Sequence, residues 1–142
     1  MKIIGVKKIT AKIFKNQKGD LLKFVSKKNS YFKSFGEIYF TEINQKKVKG
    51  WIKHKKNQCI ISVAFGEVNF KLIDDRKKSK TFGKEENIKL NKNKHGFLVI
   101  PPGIWFSFTT IKKKSILVNL INSVHSNNET LKSNKVKNHL IK

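Results

Sequence analysis

Short runs rich in Ile, Val, Phe and Thr, cut repeatedly by Lys, Asn and Gly, occupy the chain from Ile9 to Leu120. Runs of this length and composition read as strands, and no segment carries a helical period of useful length. Strands are expected at Ile9–Phe14, Leu21–Val25, Gly36–Ile43, Val48–His54, Cys59–Phe65, Glu67–Ile73, Glu86–Leu90, Phe97–Ile100, Trp105–Thr110 and Ser115–Leu120. Phe65-Gly66-Glu67 marks a tight turn or bulge between two apolar runs. Asn91–Gly96 reads as a hairpin loop, and Pro101-Pro102-Gly103 as a rigid turn whose glycine is free to take a positive φ. Many short strands at this spacing specify an all-β sandwich or small barrel.

The 142 residues, 38% of them hydrophobic, can build one core but not two. Composition shifts near Asn122. Residues 1–122 are therefore expected to form a barrel domain, and 123–142 a polar tail, a short turn followed by a frayed or partly helical end. No apolar run approaches the ~20 residues that span a membrane. Lys7 and Lys8 interrupt the apolar Met1–Val6 before a signal-peptide core develops, so a cytoplasmic address is expected. The N-terminal strand is left two possible partners, its own sheet or a second subunit. The lone Cys59 sits in an apolar run and reads as a buried, inert thiol.

The formal net charge of +23 raises nucleic acid first. Against it, Arg76 is the only arginine among the 32 basic residues, and the lysines are spread along the whole chain. Base reading and phosphate clamping favour the bidentate arginine fork. Specific nucleic-acid binding is therefore not expected. The charge reads as compositional bias, with a small anionic ligand as the functional alternative.

Four histidines, His54, His95, His125 and His139, include no pair spaced to put two imidazoles on one face of a strand or helix, so no metal is expected. There is no Gly-x-Ser-x-Gly elbow and no phosphate-cradling glycine loop. Asp74-Asp75-Arg76 reads as a turn held by a local ion pair. The most informative stretch is Lys49-Gly-Trp-Ile-Lys-His54-Lys55-Lys56. On a regular strand Gly50, Ile52 and His54 point one way, and Lys49, Trp51, Lys53 and Lys55 the other. A bulge at Gly50 would change where Lys49 points. If the Ile52 face is the interior, His54 is an ionisable group inside a barrel. It is then either a satisfied structural histidine or one that contacts a ligand or moves a proton.

Four pieces of the sequence resemble the sugar-nucleotide cupins, the family of dTDP-4-dehydrorhamnose 3,5-epimerase and the 3,4-ketoisomerases. Gly36-Glu-Ile-Tyr39-Phe-Thr-Glu42-Ile43 leads to Val48-Lys-Gly-Trp-Ile-Lys-His54-Lys55. Gly66-Glu67-Val68 leads to Asp74-Asp-Arg76-Lys-Lys-Ser79-Lys-Thr81-Phe82-Gly83. Val99-Ile-Pro-Pro-Gly103-Ile-Trp105-Phe-Ser-Phe108 follows, then Leu117-Val-Asn119-Leu with His125-Ser-Asn-Asn-Glu129. The resemblance implies a jelly-roll barrel, a homodimer, a nucleoside-diphosphate sugar in the barrel mouth, and no metal or other cofactor. It also implies proton transfer beside a 4-keto group, with a histidine base and a tyrosine acid.

By position Lys49 replaces the arginine of the epimerases' Arg-Gly-Leu-His motif, Trp51 the leucine and Ile52 the histidine. His54 matches the second histidine of the ketoisomerases' His-x-His. The acid tyrosine belongs near Leu117–Asn119, but the only tyrosines are Tyr31 and Tyr39. A metal-binding cupin would carry imidazoles where Ile52 and Phe106 stand.

The resemblance thus implies an epimerase or isomerase of a 4-keto-6-deoxy nucleotide sugar, serving cell-surface polysaccharide synthesis. His54 is the candidate base and Tyr39 the candidate acid. Lys49, Lys53 and Lys55 are candidates to neutralise the diphosphate, and Trp51 and Trp105 to stack on base or sugar. Two alternatives stay open: a catalytically degenerate nucleotide-sugar or carbohydrate-binding module, and a motif alignment shifted by two that makes His54 the family's own base. Ile52, Ile60 and Phe106 are expected to face the barrel interior.

Overall fold

The computed structural model describes residues 2–134, and the tail residues 135–142, His139 among them, lie outside it. Alternation of apolar and polar side chains organises the described residues into twelve strands. They are β1 (Lys7–Thr10), β2 (Ile13–Phe14), β3 (Leu21–Leu22), β4 (Glu37–Asn44), β5 (Lys49–His54) and β6 (Cys59–Phe65). After these come β7 (Glu67–Asp74), β8 (Glu85–Asn91), β9 (Gly96–Ile100), β10 (Ile104–Thr109), β11 (Lys114–Ile121) and β12 (Thr130–Lys132). Two five-stranded antiparallel sheets form, ordered β1-β9-β6-β11-β4 and β12-β5-β10-β7-β8, with β2-β3 as a separate hairpin. The architecture is a cupin jelly roll.

The turns carry the chain between sheets. At Gly66 it leaves β6 in one sheet and enters β7 in the other. At Pro101–Gly103 it passes from β9 to β10, with Gly103 at φ 84° as the turn requires. Asn91–Gly96 makes a third crossing from β8 to β9, so it is not the hairpin loop its composition implies. The N-terminal strand β1 pairs with β9 of its own chain.

Period-two alternation puts Val68, Phe70 and Leu72 of β7 into one core with Ile61 and Val63 of β6, Phe106 and Phe108 of β10, and Leu117 of β11. Each such side chain stabilises the fold by about 1.5–3 kcal/mol relative to an exposed one. Ile60 is a correction. It is buried, but alternation next to the inward Ile61 turns it to the outer face. There it packs with Phe97 and Leu120 under Phe24, Val25, Tyr31 and Phe32. Residues 130–132 are a second difference from the expected tail: β12 pairs with β5, Thr130 opposite His54 and Lys132 opposite Ile52. A three-residue strand amid polar neighbours carries too little alternation to be read in advance.

Candidate active site

The site begins with a bulge. Phe106 of β10 stands opposite Ile52, but the next residue, Ser107, stands opposite Gly50, leaving Trp51 without an opposite number. Gly50 takes φ 106° and lies so close to β10 that a Cβ would meet the Phe106 carbonyl oxygen at 2.6 Å. Only glycine combines that φ with that approach. The extra residue resets alternation, so Lys49 joins Ile52 and His54 on the wall of one cavity. That cavity, ≈ 300 Å³, lies between the sheets. It is lined also by Tyr39 and Thr41 of β4, Ile61, Phe106, Phe108, Leu117, Asn119 and, from the β11–β12 segment, His125, Thr130 and Lys132.

His54 is 8% exposed. Its ring stacks near Phe106 at 6.3 Å between centroids, and its Nδ1 lies 2.8 Å from Glu129 Oε2. Glu129 Oε1 accepts the backbone N–H groups of Lys56 at 2.9 Å and Asn57 at 2.8 Å. Burial alone would raise the Glu129 carboxyl, but the Asn57 N–H, the His54 ring and the Lys56 N–H outweigh it and hold it at about 2. Glu129 is therefore an anion at neutral pH and can only accept. Nδ1 of His54 must carry the proton it donates to Glu129, which leaves the Nε2 lone pair as the ring's basic site.

Tyr39 donates its phenol proton to Glu37 Oε2, which also accepts the His125 backbone N–H at 3.1 Å. Burial, and next the Glu37 contact, push the phenol up to about 12. The Tyr39 and His125 contacts together lower the Glu37 carboxyl. Asn119 stands opposite Tyr39 across the β11–β4 ladder, and its buried Oδ1 has no hydrogen-bond partner.

The structure thus brings together His54, Tyr39 and Lys49 of the residues expected from sequence. It does not bring Trp51, Lys53, Lys55 or Trp105 to this cavity. Trp51 and Trp105 pack with Ile73 and Leu131 on the outer face of the sheet. Trp105 Nε1 donates to Asp75 Oδ2 at 3.0 Å, while Lys53 pairs with the same carboxylate and lies 4.8 Å over the Trp105 ring. These residues hold the outer face together. Lys55 is exposed past the end of β5, and its N–H donates to the Glu129 carbonyl at 2.9 Å. Asp74 is a loop organiser as expected. It accepts from the Arg76 backbone and side chain, Ser79 and Thr81, and these bonds hold its carboxyl low despite burial. His95 is remote from the cavity and bonded to the Lys23 carbonyl. Among the described residues no three His, Cys, Asp or Glu side chains converge as metal ligands would.

Glu129 and His125 stood in the sequence within a quoted motif, but without a role. Thr130 and Lys132 gave no signal at all, since only the β12 pairing carries them to the cavity.

A jelly roll whose cavity wall carries an imidazole held by a carboxylate defines a cupin with a built interior site. The chain belongs to the dTDP-4-dehydrorhamnose 3,5-epimerase family, whose profile matches residues 1–137. It is similar to the dTDP sugar isomerase of Desulfovibrio desulfuricans G20: 26% identity over 92% of this chain and 85% of that one, TM-score 0.89. Two further structures share the fold at lower identity. One is the dTDP-4-dehydrorhamnose 3,5-epimerase of Bacillus anthracis str. Ames, solved with TDP and pyrophosphate bound: 20% identity, 92% and 82% covered, TM-score 0.82. The other is the dTDP-6-deoxy-D-glucose-3,5-epimerase of Legionella pneumophila Philadelphia 1, in complex with dTDP-4-keto-L-rhamnose: 18%, 99% and 78%, TM-score 0.88. A search of curated proteins finds no match. Family and fold make the chain a dTDP-sugar epimerase/isomerase-like cupin.

Proposed function

We propose that the chain epimerises or isomerises a nucleoside-diphosphate 4-keto-6-deoxy sugar by proton transfer, with His54 as base, in a cytoplasmic pathway to cell-surface polysaccharide. The observation that carries this reading is the His54–Glu129 pair on the cavity wall. Glu129 fixes the tautomer that leaves Nε2 able to take a proton from the carbon beside the keto group. It also stabilises the imidazolium that results. Ile52 and Phe106 line the same cavity and cannot move protons, so no base stands at the position the resemblance gives Ile52.

Lys49 and Lys132, both on the cavity, supply point charges for the diphosphate. The ligand bound in the Legionella relative, dTDP-4-keto-L-rhamnose, supports the substrate class. Among the described residues no helix is long and apolar enough to cross a membrane. A second copy of the chain suits the outer face of edge strand β4, where Phe40 is 76% exposed beside Ile38.

The test compares wild type with His54→Asn on dTDP-4-keto-6-deoxyglucose. A base acting in the transition state contributes roughly 10²–10⁴ in rate, so turnover should fall by that factor while dTDP affinity holds within about threefold. Wild-type protein that binds dTDP-sugar but never converts it is instead a binding module, and this reading fails.

A further inference from the structure

Inverting a carbon takes two proton carriers when the proton leaves one face of the ring and another arrives on the opposite face. One group alone returns the proton to the face it took it from. On the cavity wall the uncommitted base is His54, and a donor is still required. Tyr39 is poorly suited, because its proton is already donated to the Glu37 carboxylate. Lys49 and Lys132 answer to the diphosphate. The remaining imidazole on the cavity wall is His125.

We propose that His125 is the second proton carrier of this site, delivering a proton to the sugar after His54 has removed one. This inference rests on the epimerase or isomerase reading above. His125 comes to the cavity from the β11–β12 connection, a different segment from the β5 that carries His54. Its placement is built. Glu37 Oε2 accepts the His125 N–H, Gly36 N–H donates to the Ile121 carbonyl at 2.9 Å, and Ser34 Oγ donates to the Asn122 carbonyl at 2.7 Å. Thr130 Oγ1 lies 3.4 Å from Nδ1 of His54 and 3.4 Å from Nδ1 of His125. One hydroxyl therefore separates the two imidazoles, and each ring turns its Nδ1 edge to Thr130.

The steps balance. His54 Nε2 accepts the carbon-bound proton, and the bonding pair moves into the enolate, with its charge on the 4-keto oxygen. Protonated His125 donates its Nε2 proton to carbon, the enolate pair forms the new C–H bond, and the ketone returns. His54 leaves the cycle protonated and His125 neutral. Exposed His125 regains a proton from water, and His54 loses one to it.

The test is deuterium incorporation from heavy water into dTDP-4-keto-6-deoxyglucose, measured beside product formation. For His125→Asn, exchange by His54 should persist within about threefold of wild type, while product falls roughly 10²-fold or more. His125→Gln should show the same split, and Tyr39→Phe is measured beside it as the competing donor. Thermal melting checks that each variant is folded. Product formation at the wild-type rate in folded His125→Asn overturns the inference alone. So does a Tyr39→Phe variant that exchanges but makes no product, since Tyr39 would then be the donor. Wild-type protein that exchanges nothing overturns both this inference and the function it rests on.

Discussion

Glu129→Gln separates what the carboxylate does for the fold from what it does for His54. Glutamine keeps one oxygen to accept the Lys56 and Asn57 N–H groups, but sets an amide N–H against His54 Nδ1. The ring must then accept at Nδ1 and carry its proton on Nε2, the tautomer that cannot act as a base. Losing that tautomer costs on the order of 10⁴ in turnover where an imidazole is oriented by a carboxylate. The stability change follows from the Glu129 carboxyl. It sits at about 2 in the folded chain against 4.5 as reference. At about 1.4 kcal/mol per unit this favours the folded anion by at most ~3 kcal/mol. Because the folded value is depressed, the contribution is complete above the reference value and is lost as pH falls from there toward the folded value. Urea unfolding at neutral pH should therefore show Glu129→Gln weaker than wild type by about 2–3 kcal/mol, with the gap closing in acid over that window. A gap that stays constant with pH, or a Gln variant with wild-type turnover, refutes the reasoning.

Gly50→Ala should cost at least about 2 kcal/mol in unfolding free energy, since it combines an unfavourable φ with a clash on the Phe106 carbonyl. An unchanged melting temperature would contradict it. Lys49→Ala should weaken dTDP binding about tenfold or more in titration calorimetry, because it removes a charge facing the cavity. Trp105→Phe should do the reverse. It loses about 1 kcal/mol with the Asp75 hydrogen bond and leaves dTDP affinity unchanged, because Trp105 sits outside the cavity.

Strand identity was legible from Gly36 to Leu120, because Cys59–Phe65 and its neighbours announce themselves by composition and punctuation alone, whereas the expected Ile9–Phe14 strand is split into β1 and β2 and β12 gave no signal. Facing was legible only where alternation ran unbroken. At Gly50 the bulge moved Lys49 into the cavity, as the glycine allowed, but left Trp51 and Lys53 outside with Trp105. Ile60 and Ile61 are both apolar, so composition could not say which met the main core and which the outer cluster. Asn91–Gly96 looked like a hairpin loop because turn residues do not record whether the next strand joins the same sheet. His54 could be singled out as an ionisable group on an apolar face. Its partner Glu129 could not, because the two are 75 residues apart and meet only through the short β12–β5 ladder.

Proton removal by His54 from a bound 4-keto sugar is the step on which the proposed function depends. It is tested most directly by proton NMR of dTDP-4-keto-6-deoxyglucose incubated with the protein in heavy water. Wild type should lose the signal of a ring proton beside the keto carbon, and His54→Asn should retain it. Equal exchange in both, or none in either while the sugar nucleotide is bound, would contradict it.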